Sequence, residues 1–197
     1  LSPTRPTADD INSFWFDEAG PSCWYKVSPA FDARVRRRFA KTVEEEAAAC
    51  RRGRHPWLDA PDSALALVLL FDQFPRNIWR GSGKGYTFDP LALSVARAMI
   101  ATGFDHALPE DRRAFVYMPF MHSEDPADQA LCVEYAADRL EETSTLRHAR
   151  LHRDVIERFG RFPHRNEALG RECTPDEAAF LDGGGYAPGR KRPAKST

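Results

Sequence analysis

Four cysteines are all that the 197 residues contain, and no two of them form a C-x-x-C pair. Cys23, Cys50, Cys132 and Cys173 are scattered, so neither a zinc site nor a disulfide framework is indicated. Cys50 and Cys132 fall in apolar helical patterns and are expected as reduced core residues. A surplus of charge is missing too: 28 Lys+Arg against 29 Asp+Glu give a formal net charge of -1, without the basic excess of a nucleic-acid binder. No run approaches the ~18 apolar residues of a membrane span. Residues 1–10 are polar and contain proline, with no signal-peptide core. The expectation is a cytoplasmic protein with no nucleic-acid or membrane partner, no cofactor and no metal.

Strand-like alternation is also lacking, and helical patterns fill the space. A hydrophobic share of 42% is enough for one core. Ser28-Pro29, Asp89-Pro90, Asp125-Pro126 and Thr174-Pro175 each set a capping side chain before a proline, which at the first helical position forfeits no needed N–H. Glu177 completes a capping box with Thr174. Phe31, Val35, Phe39, Val43 and Ala47 recur every four residues until Gly53, a stripe along one helical face. Residues 62–74 are nearly all apolar in the middle, as in a helix buried on most sides. Further helices are expected near Ile11, Phe14 and Trp15 and over 91–102, 110–118, 127–140, 146–159 and 175–181. Short loops make neighbours antiparallel. The fold expectation is an all-α single domain over 8–184. A basic tail follows over 185–197, with Arg190, Lys191 and Arg192, its Gly, Pro and Lys/Arg content predicting disorder.

The chemistry concentrates in two related elements. One is Asp72-Gln73-Phe74-Pro75-Arg76-Asn77-Ile78-Trp79-Arg80. The other is Arg161-Phe162-Pro163-His164-Arg165-Asn166, with Arg158 before it and Arg171 after it. Each reads as a helix exit in which proline stops the helix, phenylalanine plugs the core and Arg-Asn bonds the last carbonyls. Arginine forks also bind carboxylate, sulfate or phosphate bidentately, so Asp72, Arg76, Asn77, Arg80, Arg161, His164, Arg165 and Asn166 are candidate ligand-binding residues. Between the elements Pro119 is expected to break a helix and leave His122 and Glu124 on a connection. These are the candidate proton-transfer groups or ligand anchors; the plainer reading has Ser123, Glu124 and Asp125 capping the next helix and pairing with arginines.

Three other patterns carry less. His148 and His152 have the i, i+4 spacing of a metal pair, but His152 lies on the apolar stripe of Ala149, Ile156 and Phe159 and reads as a hydrogen-bonded core residue. The stretch from Gly81 to Thr87 lacks the spacing of a phosphate loop, and His122-x-Glu124 lacks the P-C-x-x-C of a zinc deaminase.

Phe14-Trp15-Phe16, the run from Leu70 to Asn77, Pro119-Phe120-Met121-His122-Ser123-Glu124 and the run from Arg158 to Asn166 resemble, in order, the bacterial family catalogued as domain of unknown function 924. Leu169-Gly170-Arg171 and Thr174-Pro175-Asp176-Glu177 follow, so the resemblance covers residues 8–184. It implies a tetratricopeptide-like α-α superhelix of about eight helices with a concave face, and no established activity. Two functions remain open. One is a pocket in which the arginines, with His122 and Glu124, hold a small anionic ligand. The other is a non-catalytic module that binds a protein partner, a second copy or a biosynthetic enzyme it supports.

Overall fold

Every regular element among residues 5–187, the part of the chain that the computed structural model describes, is helical. The basic residues Arg190, Lys191 and Arg192 lie outside the described residues. In chain order the helices are α1 (Ala8–Asn12), α2 (Pro21–Trp24), α3 (Pro29–Arg52), α4 (Pro61–Val68), α5 (Phe74–Ile78), α6 (Asp89–Ala101), α7 (Phe104–Ala107), α8 (Glu110–Met121), α9 (Pro126–Arg139), α10 (Thr143–Phe159) and α11 (Pro175–Asp182). Wider π turns occupy Ser13–Ala19 and Leu69–Gln73, and 3₁₀ turns Pro56–Asp59, Gly83–Tyr86 and Pro163–Arg165. The contacts gather into two units, one ending at Phe120 and the other beginning at Met121.

The capping signals hold at three of four places. Ser28 Oγ accepts the Phe31 N–H at 3.3 Å, Asp125 accepts that of Ala127 at 2.8 Å, and Thr174 with Glu177 forms the full capping box. Asp89 is the exception: the N-cap position falls on Phe88, and the Asp89 carboxylate takes the Arg76 fork. A second capping box, Thr7 with Asp10, opens α1.

In the first unit α3 buries Phe31, Val35, Phe39, Val43 and Ala47 along one stripe, and its face packs on α5. The run from Ala64 to Phe71 is wholly buried. Phe14, Phe39 and Phe74 meet with ring centroids 4.8–5.9 Å apart, and Trp15 lies 5.4 Å from Phe74. Aromatic pairs of this kind add about 0.5–1.5 kcal/mol beyond the area they bury.

Two expected helix breaks do not occur. Pro75 lies inside α5, which runs on to Ile78, and Pro119 lies inside α8, which runs on to Met121. At Pro75 the reason is the π turn before it. Phe74 N–H bonds the carbonyl of Leu69, five residues back, so the helix restarts with proline in its first turn, where no N–H is required.

In the second unit the three residues 140–142 turn the chain back so that α10 lies against α9. Gly160 ends α10 in the left-handed conformation, φ 69°, and returns its N–H to the Ile156 carbonyl. Val155, Ile156 and Phe162 form the small core here, with Phe159, Phe180 and Tyr186 packed against it. α11 packs on the 3₁₀ turn Pro163–Arg165. The second Phe-Pro element is therefore a helix exit, whereas the first is the start of a new helix.

Candidate functional site

In the first unit Asp72, Arg76, Asn77 and Arg80 are brought together by the short helix α5. Arg76 forks onto Asp89 at 3.0 and 3.1 Å, reaches Asp72 Oδ1 at 3.3 Å and donates to the Asp72 carbonyl. Asp72 is fully buried and also accepts from the Gln73 amide. Burial opposes the Arg76 charge, but the Asp72 and Asp89 carboxylates outweigh it and hold the guanidinium above its usual pKa. Asn77 donates to the Gln73 carbonyl at 3.1 Å. Arg80 forks onto Asp32 at 2.7 and 2.8 Å and donates to Asn77 Oδ1 at 3.0 Å. Both arginine forks of this element are thus seated on carboxylates of the same unit, Asp89 and Asp32. Arg36 supplies the cap of α5, with Nε 2.9 Å from the Ile78 carbonyl.

In the second unit Glu124 is clamped. Its oxygens accept from Arg171 at 2.8 and 3.0 Å and from the Phe162 N–H at 2.8 Å. Burial raises its pKa, but hydrogen bonds from Arg171 and Phe162 overcome that and leave it below the ordinary carboxylate value. Arg161 forks onto Glu177 at 2.6 and 2.7 Å, and Asn166 Nδ2 reaches the same carboxylate at 3.2 Å. The Arg161 hydrogen bonds are the main cause that brings Glu177 down to about 2.

Phe162 is the centre of a different grouping. The Arg165 guanidinium lies over its ring at 4.5 Å and donates Nη2 to the His122 carbonyl at 2.9 Å. His164 and His152 lie 5.6 and 5.5 Å from the Phe162 centroid, and His122 lies 5.9 Å from His152. His152 Nδ1 is 2.8 Å from the His148 carbonyl, and Tyr186 packs on its ring at 4.9 Å while bonding His148 at 2.7 Å. Burial first, and then the neighbours His122, His164 and Arg165, press the His152 pKa well below its usual value. Two imidazoles and one guanidinium therefore pack on one phenylalanine, and a third imidazole, His122, packs on His152. Among the described residues no set of three His, Cys, Asp or Glu side chains has the arrangement to hold a metal ion.

His122, His164 and Arg165 were legible as candidates in the sequence, and His152 is the hydrogen-bonded core residue expected there, its buried ring meeting the His148 carbonyl. Asp32 and Asp89 were not legible as arginine partners. Asp89 carried the signature of a helix cap, and Asp32, in the first turn of α3, carried no signal beyond a favourable charge for that turn. The stretch from Gly81 to Thr87 is a loop with a 3₁₀ turn, where Lys84 pairs with Glu44 at 2.6 Å.

The chain belongs to the family described as bacterial protein of unknown function, DUF924, whose model matches residues 11–185. No curated protein matches it. A solved structure of a protein of unknown function from Agrobacterium tumefaciens is similar, at 45% identity and a TM-score of 0.81, over 88% of this chain and 96% of that one.

Proposed function

We propose that this member of the family binds a small anionic ligand, phosphate- or carboxylate-bearing, in its second unit. The observation that carries the reading is the packing of His152, His164 and Arg165 on Phe162, with the His122 ring against His152 and its carbonyl on Arg165. Guanidinium and imidazole N–H groups are the donors an anion needs, and a half-buried setting strengthens each bond by excluding water. His122 is the proton-transfer group or ligand anchor. Glu124, held ionised by Arg171, anchors the loop that carries His122. Arg161 and Asn166 brace the 3₁₀ turn from the other side through Glu177. Asp72, Arg76, Asn77 and Arg80 take the scaffold role in the first unit, their forks satisfied by carboxylates. The helices read together as one domain over 8–184, with the tetratricopeptide-like α-α superhelix of about eight helices that the family resemblance implies, in a cytoplasmic protein.

A thermal-shift screen of phosphate, sulfate and carboxylates against sodium chloride of equal ionic strength tests this. A ligand at 100 times its Kd stabilises by about 2.7 kcal/mol, which is a clear rise in Tm. No rise above the salt control for any anion at millimolar concentration defeats the proposal. The rival, a non-catalytic module for a partner enzyme or a second copy, has one observation of its own: Tyr25 and Val27 are large apolar residues exposed at 71% and 39%. Purification from the native host with a stoichiometric partner lost on Tyr25→Ser favours it.

A further inference from the structure

The face of α10 turned away from Phe162 carries a groove. Its volume is about 390 Å3, and it is lined by Thr143, Leu146, Arg147, Arg150 and Leu151. The residues that α10 buries, Ala149, His152, Val155 and Ile156, lie on the other side of the helix, as the helical pitch requires. Leu146 and Leu151 are half-buried, while Arg147 and Arg150 are exposed. One turn separates Leu146 from Arg150 and Arg147 from Leu151, so each arginine stem has a leucine as its neighbour.

Other arginines of this unit are seated on carboxylates: Arg153 on Glu157 at 3.2 Å, Arg161 on Glu177 at 2.6 Å and Arg171 on Glu124 at 2.8 Å. Arg147 and Arg150 have no carboxylate partner among the described residues, and no acid among those residues lines the groove. Residues 188–197 include Arg190, Lys191, Arg192 and Lys195 but no Asp or Glu, so that segment has the wrong sign to neutralise the pair. Two like charges three residues apart repel each other until a carboxylate comes between them. A concave, partly apolar floor receives a projecting side chain of another protein. A bilayer is met instead by side chains that protrude, and no aromatic anchor for a lipid interface lines this groove.

We infer that the groove docks a helical segment of a partner protein, one that presents an aliphatic side chain flanked by Asp or Glu. The aliphatic group enters between Leu146 and Leu151, and the carboxylates take the forks of Arg147 and Arg150, charge-assisted contacts of the kind that interfaces favour. The surface is separate from the anion reading, because Phe162 packs on His152 across the helix. Its failure leaves that reading untouched.

A display library of helical peptides, panned on the full chain, supplies the probe without presupposing the partner. Enriched peptides carry Asp or Glu on either side of Leu, Ile or Met, and fluorescence anisotropy of a labelled clone gives its Kd. Amide shifts of the protein on peptide addition centre on residues 143–151. In Arg147→Glu/Arg150→Glu the affinity falls by roughly tenfold or more, and changing the acids of the peptide to lysine restores it, which also shows that the variant is folded. Enriched peptides without acids, an affinity unmoved by the charge swap, a loss that the lysine peptide does not rescue, or a library without binders each overturn the inference. Sedimentation with phosphatidylglycerol vesicles that the same swap abolishes overturns it in favour of a membrane. A dimer that the swap dissociates overturns it in favour of a second copy.

Discussion

Glu124 and Arg171 meet through both carboxylate oxygens, Oε2 to Nη1 at 2.8 Å and Oε1 to Nη2 at 3.0 Å, although 47 positions separate them. The same carboxylate accepts the backbone N–H of Phe162 at 2.8 Å. One side chain thus ties the loop before α9 to the chain segment after α10, and fixes the phenylalanine on which His152, His164 and Arg165 pack.

This clamp makes the second unit sensitive to acid. Glu124 and Glu177 are both held below the ordinary value of 4.5, Glu177 down to about 2. A carboxylate depressed in the folded state contributes stability above its unfolded pKa and loses it as the pH falls through the folded one. For Glu177 that window runs from 4.5 down to about 2. Melting curves taken across it show Tm falling in the wild type. In Glu177→Gln, Tm starts lower at neutral pH and falls less steeply. Parallel curves for the two proteins would rule this account out.

Arg76 stands between Asp72, which is buried, and Asp89. Removing the cation leaves the Asp72 charge without its partner, and breaking such a buried pair costs about 3–5 kcal/mol. Arg76→Met is therefore expected to lower the urea midpoint strongly. Arg80→Met, whose side chain is one-third exposed opposite Asp32, should cost less. The reverse order would show that solvent screens Arg76 and not Arg80.

Gly160 closes α10 at φ 69° with nothing within 4 Å of where a Cβ would stand. Gly160→Ala consequently meets backbone strain but no clash, a loss of about 1–2 kcal/mol. Gly160→Asn should recover part of it, because asparagine tolerates this conformation. A loss well above that range would mean that the space around Gly160 is not open in solution.

The cysteines differ in reach. Burial pushes the Cys132 thiol up to about 12 and that of Cys50 to about 11, while Cys173 is exposed. Because the thiolate is the reactive form, iodoacetamide at about pH 8 should label Cys173 in the native protein and leave Cys132 untouched until urea unfolds it. Peptide mass spectrometry reads the order. Cys132 labelled as fast as Cys173 contradicts the packing of α9.

Much of the fold was legible because it is local. Ser28, Asp125 and Thr174 start helices through bonds to amides two or three residues on, and the stripe from Phe31 to Ala47 is set by the pitch of the helix itself. The residues of both Phe-Pro elements could be named as candidates for the same reason. The two elements nevertheless behave differently. Phe162-Pro163 follows a left-handed glycine and leaves the helix, whereas Phe74-Pro75 follows a π turn that removes the need for the missing N–H, so the helix goes on. Nothing in the shared motif tells these apart.

Periodicity, capping residues and motif order are enough to say that this chain is helical, where most of its helices begin, which face of α3 is apolar, and to which family it belongs. Packing, by contrast, sets which carboxylate each arginine takes: Asp32 for Arg80 across 48 positions, Glu124 for Arg171 across 47, and Asp89 for Arg76. It also sets His152 Nδ1 against the His148 carbonyl and the His152 ring against Phe162. The physical reason is one of range. Pitch and capping act within a few residues, while the partner of a charge depends on groups that only packing brings near.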